Sequence, residues 1–217
     1  MKRLCIELIG MPSSGKSFYF NKIRSSLKKE NLISNNFNYL NKFEKFFFLI
    51  LFIFKYFKYS IKVLNIFTKS NFSLSKTRSH FYWFINESSL RMYYELTKKR
   101  TINSEGFAYR TVYYINALNY RSEKKEVKNF INIMPKTNFL INVISKKKIN
   151  LARNKKRKKG FKYTQNELKF YSKNNQIIGQ ICKEIKKKSI VLQISKKSEK
   201  KDLKKIIDII KKELIVT

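Results

Sequence analysis

The chain has 217 residues, enough for one α/β domain with a sizeable core, and it sets 49 Lys and Arg against 14 Asp and Glu for a net charge of +35. Such a charge ordinarily points to nucleic acid or an anionic surface, but 40 of the bases are Lys and only 9 Arg, while Asn, Ile and Phe abound and Ala occurs three times. That profile is what A- and T-rich coding produces, so it weakens the inference to a polyanionic partner; the two cysteines, Cys5 and Cys182, exclude a zinc or disulfide framework and point to a reducing cytosol.

Leu4 to Ile9 reads as a short buried strand, and Met1-Lys2-Arg3 runs straight into it, which argues against a cleaved signal peptide. Gly10-Met11-Pro12-Ser13-Ser14-Gly15-Lys16-Ser17 comes next and fits the P-loop spacing of Gly, four residues, then Gly-Lys-Ser. The glycines let consecutive N–H groups turn toward phosphate oxygens. Lys16 reaches the β- and γ-phosphates, and the Ser17 hydroxyl takes a place on Mg²⁺. Ser17 to Glu30 reads as the helix that follows, with Phe18, Phe20, Ile23 and Leu27 at apolar spacing and its positive end at the phosphates. The expected cofactors are therefore ATP and Mg²⁺, with all eight residues from Gly10 to Ser17 in the nucleotide site.

Phe46 to Phe54 is an unbroken run of nine apolar residues. As a helix it spans about 14 Å, against about 30 Å of bilayer hydrocarbon, so it does not cross a membrane. Two readings of Phe46 to Lys62 stand. In the preferred one it is an insertion helix with Phe and Leu inward and Lys55, Lys58 and Lys62 outward. In the other it is a basic amphipathic helix lying on a membrane. Leu74 to Arg100 reads as helical, Thr101 to Glu105 as a short strand, and Phe107 to Phe130 as an aromatic helical stretch. Phe139 to Ile144 is a buried strand, Ile149 to Lys159 a basic helix closed by Gly160, and Glu167 to Lys187 a helix. Ile190 to Ile194 is a strand and Asp202 to Leu214 an amphipathic helix. Strands alternating with helices imply a parallel sheet covered on both faces, with no linker dividing residues 1–217.

Both aspartates, Asp202 and Asp208, fall in the last helix, so no Asp is available at a central strand end. Glu105, just before Gly106, is the best placed carboxylate to accept a substrate proton or share in the metal shell. Glu7 lies inside the first strand, where it either faces the site or pairs with a base. Arg153 and Arg157 stand four apart, on one helix face, and can clamp transferring phosphates; a solvated basic face is the alternative. Arg78, Arg91 and Arg110 flank the middle helices and are candidates for an acceptor phosphate or carboxylate. Phe81-Tyr82-Trp83 offers stacking surface or core, and His80 is the lone histidine.

On these residues the chain resembles the small P-loop kinases of the nucleoside monophosphate kinase type, thymidylate kinase-like members included. Gly10 to Ser17 resembles their P-loop, Asn103-Ser104-Glu105-Gly106-Phe107 their strand-end motif, and Leu151 to Gly160 their arginine-bearing lid. Ser104 stands where relatives often carry Asp. The resemblance implies a three-layer α/β P-loop NTPase fold with a five-stranded parallel sheet, a helical acceptor-side insertion at 43–100 and a lid region at 145–187. It implies a phosphotransferase; the cysteines point to the cytoplasm, and the 46–62 pattern makes any membrane contact peripheral. The leading expectation is ATP-dependent phosphoryl transfer to a small molecule, whether nucleotide, nucleoside, sugar or related precursor. The alternatives are a polynucleotide 5′-hydroxyl kinase or other nucleic-acid-handling protein, and a degenerate nucleotide-binding protein. A GTPase is disfavoured because Asn154-Lys155-Lys156 continues with Arg157 where Asp is required.

Overall fold

The structure is a computed structural model that describes residues 4–28, 32–34, 39–69, 73–117, 123–157, 165–195 and 198–215. Five strands form one sheet: β1 (Cys5–Ile9), β2 (Ile33–Ser34), β3 (Thr101–Asn103), β4 (Phe139–Ile144) and β5 (Ile190–Ser195). All neighbours run parallel, in the order β2-β3-β1-β4-β5. The helices are α1 (Lys16–Ser26), α2 (Lys42–Lys55), α3 (Phe57–Lys69), α4 (Leu74–Leu96), α5 (Phe107–Ala117), α6 (Glu123–Ile133), α7 (Lys147–Arg157), α8 (Gln165–Ile185) and α9 (Glu199–Ile215). This is the three-layer P-loop NTPase architecture. Among the described residues no helix is long and apolar enough to cross a membrane.

The two-residue period of the strands divides the core. Ile6 and Leu8 of β1 and Phe139, Ile141 and Val143 of β4 point to one face, where Ile23 and Leu27 cover them beside Ile206 and Ile210 of α9. Ile9 and Leu140 point to the other face, into a larger cluster built by α2 to α6 and α8. Each fully buried Leu, Ile or Phe there contributes about 1.5–3 kcal/mol relative to exposure. Of the apolar positions expected on α1, Ile23 and the C-cap Leu27 are buried and Phe20 packs against the same cluster, whereas Phe18 is exposed and Tyr19 is buried.

Within 43–100 the helices α2, α3 and α4 pack into the core. Phe52, Tyr59, Val63, Ile66, Trp83 and Phe84 share one cluster with α5, α6 and α8. An Asn41–Glu44 capping box starts α2, and Glu95 of α4 accepts from Lys55, Tyr56 and Arg91, which ties α2 to α4. The helix breaks at Tyr56, so Lys55 belongs to α2 while Lys58 and Lys62 belong to α3. The expected lysine stripe is therefore not one continuous face. Lys55 and Lys62 instead bridge to Glu95 and Glu126. The expected inward packing of Phe46 to Phe54 is also corrected: Phe52 is buried, but Phe46, Phe47, Ile50 and Phe54 are exposed.

The aromatic stretch after residue 106 is two helices, α5 and α6. The 145–187 region also divides. Ile177, Ile178, Ile181 and Ile185 of α8 are buried in the core. Residues 158–164, including Gly160, lie outside the described residues.

Candidate active site

The P-loop leaves the carboxyl end of β1, the central strand, and turns into α1. Gly10 has φ 156°, and a Cβ there would lie 2.7 Å from the Val143 carbonyl oxygen. Gly15 caps α1 with φ 102°, in the left-handed region that glycine adopts without strain. Lys16 is 8% exposed; its Nζ donates to the carbonyls of Gly10 at 2.9 Å and Met11 at 3.2 Å. The same ammonium sits 4.3 Å from the ring centre of Tyr109 on α5. The lysine is thus held back along its own loop by neutral acceptors and a π face. Ser17, one residue into α1, is exposed.

Arg153 of α7 reaches the loop. Its guanidinium donates to the Ser13 carbonyl at 3.2 Å. A cavity of about 360 Å³ opens between them, lined by Ser14, Gly15, Tyr19, Ser145 and Ile149 among others. It lies on the β4 side of β1. Nothing is described of the Arg157 side chain.

On the β3 side of β1 lies a second cavity, of about 240 Å³, lined by Trp83, Glu87, Asn103, Glu105 and Arg110 with Phe20 of α1. Glu87 of α4 is buried and accepts from Asn103 Nδ2 at 2.9 Å. Glu105 is half exposed and pairs with Arg110 at 3.1 Å. The Arg110 guanidinium stacks 4.6 Å from the Trp83 ring centre, with its Nη1 3.4 Å from His80 Nδ1. One cavity therefore holds two carboxylates, an amide, a guanidinium and an indole.

Of the arginines proposed for an acceptor, the structure brings only Arg110 to this cavity. Arg78 is on the exposed side of α4. Arg91 is buried at the opposite, amino end of the sheet, bonded to Glu95, Cys5 Sγ and the Lys136 carbonyl, so an acceptor role is corrected to a structural one. Glu7 also resolves. Its Oε2 accepts from the Ala108 N–H at 2.9 Å, at the start of α5, and burial pushes its carboxyl above the ordinary range. Glu87 was missed by sequence reasoning. The available signal was the polar run Asn86-Glu87-Ser88-Ser89 inside a helix, all four residues of which are buried.

Among the described residues no group of three or more His, Cys, Asp and Glu could hold a metal ion by itself.

No protein-family model matches the chain, and no curated protein sequence does. Among solved structures it is similar to the deoxyadenosine kinase from M. mycoides with bound dATP, at 15% identity and a TM-score of 0.51, over 97% of this chain and 100% of that one. Structures of the same enzyme with bound dCTP, and with products dCMP and a flexible dCDP, align at 12% and 14% identity, each with a TM-score of 0.48. They cover 98% and 100% of this chain and 100% of theirs. The likeness is one of fold. It extends over 97% of this chain, and it does not single out the thymidylate kinase-like resemblance.

Proposed function

We propose that this protein is an ATP-dependent kinase that phosphorylates a hydroxyl of a nucleoside or a ring-bearing small molecule of similar size. The observation that carries this reading is the pair of cavities on opposite sides of β1, with the Lys16 loop between them. Open α/β sheets bind ligands where strand connections diverge, at the carboxyl ends. Here β3 and β4 are the diverging neighbours of β1.

In this reading the Arg153 cavity takes ATP and the Glu105 cavity takes the acceptor. Lys16 and Arg153 neutralise the transferring phosphoryl group, and Glu105 accepts the proton of the attacking hydroxyl. Ser17, with phosphate and water oxygens, would hold Mg²⁺, which neutralises phosphate charge when bound; Glu105 would join that shell only if it is not the base. Trp83 offers a face to a planar ring, while Glu87 and Asn103 offer hydrogen bonds at its edge. A cavity of about 240 Å³ is of the scale of a nucleoside, and the fold shared with a deoxyadenosine kinase supports the same acceptor class.

The test is a transfer assay with γ-labelled ATP and Mg²⁺ against nucleosides, nucleoside monophosphates, sugars and a 5′-hydroxyl oligonucleotide. Label moving to a nucleoside is the expected result. Transfer only to the oligonucleotide, or ATP binding without transfer to any acceptor, overturns it.

A further inference from the structure

The outer surface of α2 is an exposed apolar face that the proposed chemistry leaves unused. α2 packs on α4 through Phe48 and Phe52, and the Ser89 hydroxyl bonds the Lys45 carbonyl along that seam. On the opposite side Phe43, Phe46, Phe47, Ile50 and Phe54 recur at helical spacing, with Phe43 78%, Phe46 62% and Phe54 76% exposed. Helices that are apolar all round are normally covered on every side. Phe57, Ile61 and Leu64 continue the exposed apolar pattern on α3.

We infer that this face docks on an anionic lipid bilayer, with α2 lying in the interface. Charge decides the occupant. Residues 42–69 carry six lysines, of which Lys55 and Lys62 pair with Glu95 and Glu126, and a single acid, Glu44, which is committed to the capping box. On the helical wheel Lys42 borders the apolar stripe, and Lys58 follows at the start of α3; Lys55 on the other border is engaged by Glu95 of α4. A second copy of this chain would bring one lysine-bordered face against another, on molecules of net charge +35. An anionic surface complements that border while the acyl boundary takes the phenylalanines. At five aromatic or aliphatic side chains on one helix, the face suits shallow insertion; the helix does not cross the membrane. The inference does not depend on which acceptor the kinase site takes.

Flotation of the full chain with phosphatidylglycerol vesicles and with phosphatidylcholine vesicles, in buffer of physiological ionic strength, tests it. Binding to the anionic vesicles is expected, and Phe46→Ser, Phe47→Ser, Phe54→Ser together should weaken it by about tenfold or more. Circular dichroism should report an unchanged fold, since these side chains are exposed. A second readout covers the case in which that variant does not fold. A solvatochromic dye on Phe54→Cys should shift to the blue with anionic vesicles, and the same dye on Lys201→Cys of α9 should not. Binding that the serine variant leaves unchanged, or equal shifts at both dyes, overturns insertion of this face. A dimer in lipid-free buffer that the serine substitutions dissolve, without vesicle binding, assigns the face to a second copy and overturns the proposal.

Discussion

The carboxyl group of Glu7 occupies the space that a side chain at position 106 would need. A Cβ on Gly106 would stand 2.2 Å from Glu7 Cδ and 2.5 Å from its Oε2. This close approach lets the Glu7 carboxylate reach the first amides of α5 and so sets where Tyr109 and Arg110 emerge. Gly106→Ala should destabilise the fold by about 1–3 kcal/mol, the usual range for overpacking. Glu7→Ala removes the obstruction, so the double variant should lose less than the sum of the two single changes. Chemical denaturation of all four proteins measures the coupling; strict additivity would refute it.

Glu7 also gives a pH signature. Burial raises its carboxyl above the ordinary 4.5, and the Ala108 amide and Arg91 only partly offset this. The folded state therefore holds the proton more tightly than the unfolded chain. This contribution to stability is fully present below pH 4.5 and falls as pH rises from there through the folded value. Glu7→Gln keeps an acceptor for Ala108 and removes the titration. The stability of the variant relative to the parent should increase with pH across that window. A difference that stays flat from pH 4 to 8 contradicts the assignment.

Lys16→Ala should weaken Mg-ATP binding by about 100-fold, the scale of losing one partner of a buried charge contact. In the free protein the ammonium is satisfied by Gly10, Met11 and Tyr109, so the substitution should change stability far less than affinity. Titration calorimetry and thermal unfolding separate the two effects.

The parts of this fold that are legible in the sequence are those dictated locally. Glycine spacing, the apolar strands and the Glu105-Gly106 punctuation each carry their own physical reason, and β1, β3, β4 and β5 lie where those reasons place them. Arg91 shows what local reading misses. Scarcity made it a candidate for an anion, but only the packing of α4 across the amino end of the sheet reveals that Glu95 and the Lys136 carbonyl take its guanidinium. Glu87 is the converse, an acid in a helix that becomes part of a cavity through the placement of β3. The α2 phenylalanines mislead in a third way, because periodicity identifies the helix without saying which face meets the core.

Arg153 makes its described bond to Ser13 through a single guanidinium nitrogen, so its planar fork has a second edge to offer a phosphate. Arg153→Lys keeps the charge and loses that geometry. Turnover should fall by about tenfold or more while ATP affinity changes little, as expected for a group that acts as a lid closes. Equal losses in affinity and turnover would assign it to ground-state binding instead.

The two carboxylates of the acceptor cavity should separate kinetically. Glu105 is half exposed, at 46%, and its pair with Arg110 yields readily when a substrate enters, because a partly solvated pair of this kind is worth only about 0–1 kcal/mol. Glu87 is buried and already held by Asn103, so it is suited to fixing an acceptor and not to moving a proton. Glu105→Gln should lower kcat by about 100-fold or more with KM for the acceptor little changed, since the amide fills the same space but does not take the hydroxyl proton. Glu87→Gln should mainly raise the acceptor KM. Initial-rate kinetics with the acceptor found in the transfer assay test both. If Glu87→Gln loses kcat and Glu105→Gln does not, the base is Glu87, and Glu105 serves only to position Arg110.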